Sequence, residues 1–208
     1  MRGLASVYHL ECPSRSTARA RFCLDDLSGR VNELTGATPL SLAFTLVNEA
    51  QQRCELAAWV TTRESTFFPL DAAARGVDLS LLPVIFAPDI AAALRSADKL
   101  ARSGAFRLLV LDLAGPRAEV TRGRSTRDVP AALLSRLVGL ARQHDTAVLV
   151  LTTSAIPPLG SLVSLRCTSE RQEAEAGRFL CVARALKDKR YGPGWTWSEV
   201  QYGPVGLR

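Results

Sequence analysis

The chain has 208 residues, 47% of them apolar, which is enough for one well-filled core, and no apolar run approaches the roughly eighteen residues that cross a bilayer. Its formal charge of +6, from 26 Lys and Arg against 20 Asp and Glu, favours anionic partners over cationic ones. Five widely spaced cysteines without a Cys-x-x-Cys pattern, beside only two histidines, match no familiar zinc spacing and point to reduced thiols in a cytoplasmic protein needing no metal or cofactor.

Residues 1–28 read as an N-terminal arm. Met1 to Pro13 has one Arg and a broken apolar patch, so no signal peptide is expected. Ser16 to Leu27 fits an amphipathic helix with Arg15, Arg19 and Arg21 on its exposed side. Residues 29–208 read as one core domain.

Within the core, short apolar runs alternate with helical periodicity. Strands are expected near Val31–Thr35, Leu56–Thr61, Pro83–Ala87, Arg107–Asp112 and Ala147–Thr153, with helices near Leu40–Arg53, Phe68–Arg75, Ile90–Ser103 and Val129–His144. This is the signature of an α/β fold: a mostly parallel central sheet with helices on both faces. After Pro157-Pro158 the helices cease. Leu162–Thr168, Phe179–Leu186 and Thr196–Tyr202 read as a C-terminal antiparallel β extension, joined by a charged turn over Ser169–Gly177 and by Tyr191–Gly194. Cys167 and Cys181 fall on neighbouring strands of that extension, with no reason to call them bridged.

The first strand reads Gly29-Arg-Val-Asn-Glu-Leu-Thr-Gly36 and is followed by Ala37-Thr-Pro-Leu40 and a helical run. Further on come Gly76-Val-Asp-Leu-Ser-Leu-Leu82, Lys99-Leu-Ala-Arg-Ser-Gly-Ala105, Leu108-Leu-Val-Leu-Asp112 and Lys187-Asp-Lys189. In order and spacing this series resembles the RecA-like ATPases from about Gly29 to the C-terminus. In that family the first strand opens into a Gly-rich loop ending Gly-Lys-Thr, whose amides and lysine hold the nucleotide phosphates. Here the loop is about three residues short, with Pro39 at the lysine position and Leu40 at the magnesium-binding Thr position. Pro supplies neither cation nor amide hydrogen, and Leu supplies no hydroxyl. Gly36, Thr38, Pro39 and Leu40 are therefore expected to form a degenerate, inactive nucleotide site.

The same resemblance puts Glu64 at the water-activating carboxylate, Asp112 at the magnesium carboxylate and Thr153 at the γ-phosphate-sensing Gln. Without a phosphate cradle, none of these has a nucleotide to serve, and no catalytic residue is expected. The two histidines, His9 and His144, stand in no nucleophilic arrangement, and His144 sits at a helix end where it complements the dipole.

Gly115 to Arg127 carries Arg117, Arg122, Arg124 and Arg127 against Glu119 alone, in a Gly/Ser/Thr-rich stretch placed where the RecA family sends its first DNA-binding loop. Weak, sequence-independent DNA binding is the functional reading, and a solvated loop is the plain one. The segment matching the second DNA loop has shrunk to Ala155–Leu159. Lys187 and Lys189 match a Lys-x-Lys pair that reaches a neighbour's ATP, so they are candidate partner-binding residues. Trp195 and Trp197, alternating on one strand face, are either sheet packing or an aromatic patch for a partner.

Within the RecA-like proteins, the chain is most similar to the ImuA family of accessory factors in bacterial damage-induced mutagenesis. That resemblance implies a non-enzymatic role in translesion synthesis, with RecA and an ImuB-like Y-family polymerase homologue as direct partners and an error-prone polymerase as an indirect one. Two alternatives remain open at the level of sequence: a divergent RecA-family NTPase or recombinase, and a RecA-like cell-division regulator of the SulA type.

Overall fold

The computed structural model describes residues 22–62, 67–114, 129–153, 159–173 and 178–202. In chain order these form α1 (Leu24–Leu27), β1 (Arg30–Gly36), α2 (Pro39–Gln52), β2 (Leu56–Thr62), α3 (Pro69–Ala74), a 3-10 turn (Leu79–Leu81), β3 (Val84–Ala87), α4 (Ile90–Arg102), β4 (Phe106–Asp112), α5 (Ala131–His144), β5 (Ala147–Leu151), β6 (Leu165–Glu173), β7 (Arg178–Asp188) and β8 (Thr196–Tyr202). The strands make one eight-stranded sheet in the order β3-β2-β4-β5-β1-β6-β7-β8. β1 to β6 pair in parallel, and β7 and β8 add antiparallel.

Strand alternation divides the interior in two. Ala57, Trp59, Leu108, Val110 and Leu149 face one apolar cluster with Leu42, Phe44 and Leu46 of α2, whereas Ala58, Val60, Leu109, Leu111 and Val148 face a second with Leu94 of α4 and Leu137 of α5. Because both faces of the central strands are covered, their sequences read as continuous apolar runs. Helix ends follow local chemistry. Pro39 stands at the first turn of α2, the Asp89 carboxylate accepts the Ala92 amide 2.6 Å away at the start of α4, and α5 stops at Asp145, whose φ of 53° is left-handed.

One expectation needs correction. The charged stretch from Ser169 is not a turn at its start: β6 continues to Glu173, paired with β7 to Phe179. Those residues are outer-strand residues, where polar side chains meet water and leave no apolar signature. At the end of the expected N-terminal arm, Phe22, Leu24 and Leu27 are buried in the α2-side cluster. Cys167 and Cys181 are free and out of register, facing Ala185 and Arg171 respectively. The rest of the expected arm, residues 1–21, lies outside the described residues.

Candidate functional site

The C-terminal ends of β1, β4 and β5 lie side by side, and the turn from β1 into α2 crosses above them. A cleft of about 330 Å³ opens there, lined by Gly36, Thr38, Pro39, Leu40, Ala114 and Thr153, among others. In parallel α/β sheets this edge is where ligands bind. Of the positions expected to form the degenerate nucleotide site, Gly36, Thr38, Pro39 and Leu40 line this cleft, and Thr153 lines it with them.

What fills the turn is strand β6. The Ala37 amide donates to the Ser169 carbonyl at 2.8 Å, and the Thr38 amide donates to the Ser169 hydroxyl at 3.0 Å. Ser169 Oγ in turn donates to the Thr35 carbonyl at 2.9 Å. The two amides between the strand and Pro39 thus point into protein, and Pro39 has none to offer. Gly36, with φ of 112°, lies so close to β6 that a Cβ there would overlap the Ser169 carbonyl oxygen. Sequence reasoning singled out the short loop but missed Ser169, which sits in an unremarkable polar run.

Asp112 ends β4 with its carboxylate fully enclosed. It accepts the Ala114 amide at 3.1 Å and the Thr61 hydroxyl at 3.3 Å, so it ties the end of its strand to β2 and to the following residues. Glu33, in the middle of β1, is a second buried carboxylate: it accepts Arg166 Nε at 2.7 Å, Thr152 Oγ1 at 3.3 Å and the Leu159 amide at 3.4 Å. Glu64 falls in 63–66, and Arg117, Arg122, Arg124 and Arg127 fall in 115–128, outside the described residues.

Lys187 and Lys189 flank a buried Asp188. Their ammonium groups reach the carbonyls of Gly160 at 3.0 Å and Ser161 at 2.6 Å, holding the segment that leads into β6. Burial and the neighbouring Lys189 and Arg166 press the Lys187 pKa below its usual value. Trp195 and Trp197 do not form the exposed aromatic pair that was the alternative to packing. β8 begins at Thr196; Trp195 precedes it, is buried, and donates its indole N–H to Asp188 at 3.0 Å. Trp197 is half-buried with its ring 5.5 Å from that of Phe22.

Among the described residues, no group of His, Cys, Asp and Glu could hold a metal ion, and no helix is long and apolar enough to cross a membrane. No family model matches the chain, and no curated protein is significantly similar to it.

Proposed function

We propose that this chain is a RecA-like pseudo-ATPase that works by protein contact, as an ImuA-type accessory factor in damage-induced translesion synthesis. The observation that carries the reading is the β1–α2 turn. A phosphate cradle needs free backbone amides and a cation. Here the Ala37 and Thr38 amides are bonded to Ser169, and Pro39 stands at the lysine position. The motif series from Gly29 to Lys189 supplies the RecA likeness, and the grouping of Gly36–Leu40 and Thr153 at one sheet edge supports it.

The partners proposed are RecA and an ImuB-like polymerase homologue, with any DNA contact weak and confined to phosphates. Lys187 and Lys189 are the proposed contact to RecA: their present acceptors are neutral carbonyls, which the charged oxygens of a neighbour's ATP outbid as ligands for ammonium.

The test combines two measurements on the full chain. A ligand at a hundred times its Kd raises folding stability by about 2.7 kcal/mol, so millimolar Mg-ATP should leave the melting temperature unmoved. Binding to RecA filaments should be stronger with ATP than with ADP, and should weaken about tenfold when Lys187 and Lys189 are both changed to Ala. Micromolar ATP affinity sinks the pseudo-ATPase reading. RecA binding indifferent to nucleotide and to both lysines removes this contact.

A further inference from the structure

The two edges of the sheet are finished differently. At one edge, β3 is short, Val84 to Ala87, and is bracketed by Pro83 and Pro88, neither of which has an amide hydrogen to offer a further strand. At the other, β8 runs from Thr196 to Tyr202 in unbroken register with β7 and contains no Pro, Lys or Arg. Among the described residues no strand pairs with its far side. Its one charge, Glu199, is already engaged: Oε2 accepts Thr45 Oγ1 of α2 at 2.9 Å and Gln201 Nε2 at 2.8 Å. A long edge left bare in this way is a template for another strand, which is why edges are commonly blunted by proline, lysine or a bulge.

The groups that this edge offers follow from the pairing with β7. The Ala185 amide donates to the Trp195 carbonyl at 2.9 Å, and in an antiparallel ladder the bonded pairs recur at every second residue. Trp197 and Glu199 therefore bond to β7 opposite Ala183 and Cys181, while Thr196, Ser198 and Val200 present their amides and carbonyls outward. Ala183 and Cys181 face the α2-side cluster, so the side chains of Thr196, Ser198 and Val200 stand on the other face of the sheet, where Val200 is half exposed.

A second copy of β8 satisfies this edge, and charge selects the register. Antiparallel pairing about a two-fold axis at Ser198 sets Ser198 against itself, Thr196 against Val200 of the second copy, and Trp197 against Glu199 of the second copy. The outward groups of Thr196, Ser198 and Val200 are then all paired. Thr196 and Val200 are both β-branched, a favourable cross-strand combination, and no like charges oppose. An axis at Glu199 would overlap more of the strand, but it would set the two glutamates directly against each other, which destabilises a strand pair. It would also bring Arg184 of one copy and Arg178 of the other into one row, because Arg184 lies beside Thr196 and Arg178 beside Tyr202.

We propose that β8 is a self-association edge, pairing with β8 of a second copy about an axis at Ser198 so that one sheet runs through both. The inference does not depend on the proposed function. The seam is one strand wide, smaller than the roughly 1,200 Å² at which standard interfaces begin, so the dimer is weak, half formed at about 100 µM and absent at about 1 µM.

Sedimentation velocity on the full chain should show the 22.5 kDa monomer when dilute and a dimer of twice that mass when concentrated. Val200→Pro removes an outward amide while sparing the bonds to β7, and should weaken association about tenfold. Val200→Lys should do the same through charge, with the backbone untouched, and serves if the Pro variant melts early. Register is read by oxidation with copper phenanthroline in a Cys54→Ser background, followed by peptide mass mapping. Ser198→Cys should link to itself, because directly opposed bonded residues have Cα atoms about 5.5 Å apart, within disulfide reach. Thr196→Cys and Val200→Cys should each fail to link alone and should link to each other when mixed. A chain that stays monomeric at about 200 µM, twice the expected midpoint, overturns the proposal. So does a dimer indifferent to both Val200 variants, or self-linkage at Thr196 or Val200 in place of Ser198.

Discussion

Arg30 on β1 and Asp188 at the end of β7 meet at 2.6 Å with both side chains almost wholly out of water. Asp188 also accepts the Arg190 amide at 2.8 Å and the Trp195 indole at 3.0 Å, while Arg30 donates to the Asp26 carbonyl at 2.9 Å. The first strand, α1 and the last hairpin are therefore tied together at one end of the sheet by this buried pair, with Tyr191 and Arg190 adding contacts to Asp26. Removing Arg30 alone leaves a buried carboxylate without its cation, which costs about 3–5 kcal/mol. Urea denaturation of Arg30→Ala should show that loss, and Arg30→Met combined with Asp188→Leu should recover much of it.

Acid should find the same weak point. Burial pushes the Asp188 carboxyl up, but the Arg190 amide, Arg30 and Trp195 together outweigh it and hold its pKa below the usual carboxylate range. A carboxyl depressed on folding contributes stability above its unfolded pKa and loses it as pH falls through the folded one. Melting temperature should therefore decline below about pH 4, and Asp188→Asn should flatten that decline. A slope unchanged in the variant would assign the acid sensitivity to other carboxylates.

Gly36→Ala should be among the most damaging single-methyl additions in the chain. The position combines a left-handed φ with the Ser169 carbonyl where a Cβ would go. Strain of this kind costs on the order of 1–3 kcal/mol before the overlap is counted. The denaturant midpoint should fall accordingly; a loss below about 1 kcal/mol would mean that β6 yields readily.

Pro39→Lys should not create an ATP site. It restores a cation and an amide, but the loop stays short and Ser169 still holds Ala37 and Thr38. Calorimetric titration of the variant should remain flat, as should Pro39→Lys with Ser169→Ala, because the Ser169 carbonyl persists whatever its side chain. Heat of binding in either variant would show that the turn can reorganise on its own.

Thiol reagents should sort the cysteines by environment. Among the described cysteines, Cys54 is exposed and should react first. Cys167 is buried, and desolvation with help from Asp188 pushes its pKa up to about 12, so it should stay silent until the protein unfolds. Cys181 is buried as well, with its pKa raised chiefly by desolvation. Native-state labelling of Cys167 at the rate of Cys54 would contradict this packing.

The parallel half of the sheet was legible because burial on both faces writes itself as continuous apolar runs; Leu108 to Leu111 and Val148 to Leu151 are examples. The outer half was less so. From Ser169 to Glu173 one strand face meets solvent and the partners are backbone, so the side chains carry little trace of the pairing. At the site, Pro39 and Leu40 were visible in the sequence as side chains with neither cation nor hydroxyl to offer a phosphate. Ser169 was not, because it acquires its role from a residue 131 positions away. Packing of Trp195 and Trp197 was one of the readings their alternation allowed; the buried charge that the Trp195 indole answers, Asp188, was not visible in it.

On the RecA-like reading proposed above, the clasp between Ser169 and the β1–α2 turn also bears on ancestry. A descendant of a phosphate-binding chain that reached this arrangement has no short route back: a longer loop clashes with β6, a withdrawn β6 leaves the Ala37 and Thr38 amides unpaired, and a new lysine has nothing to hold. Each reversal is a loss unless the others accompany it. On that reading the site behaves as a ratchet, held in its present form by geometry even where selection would favour turnover.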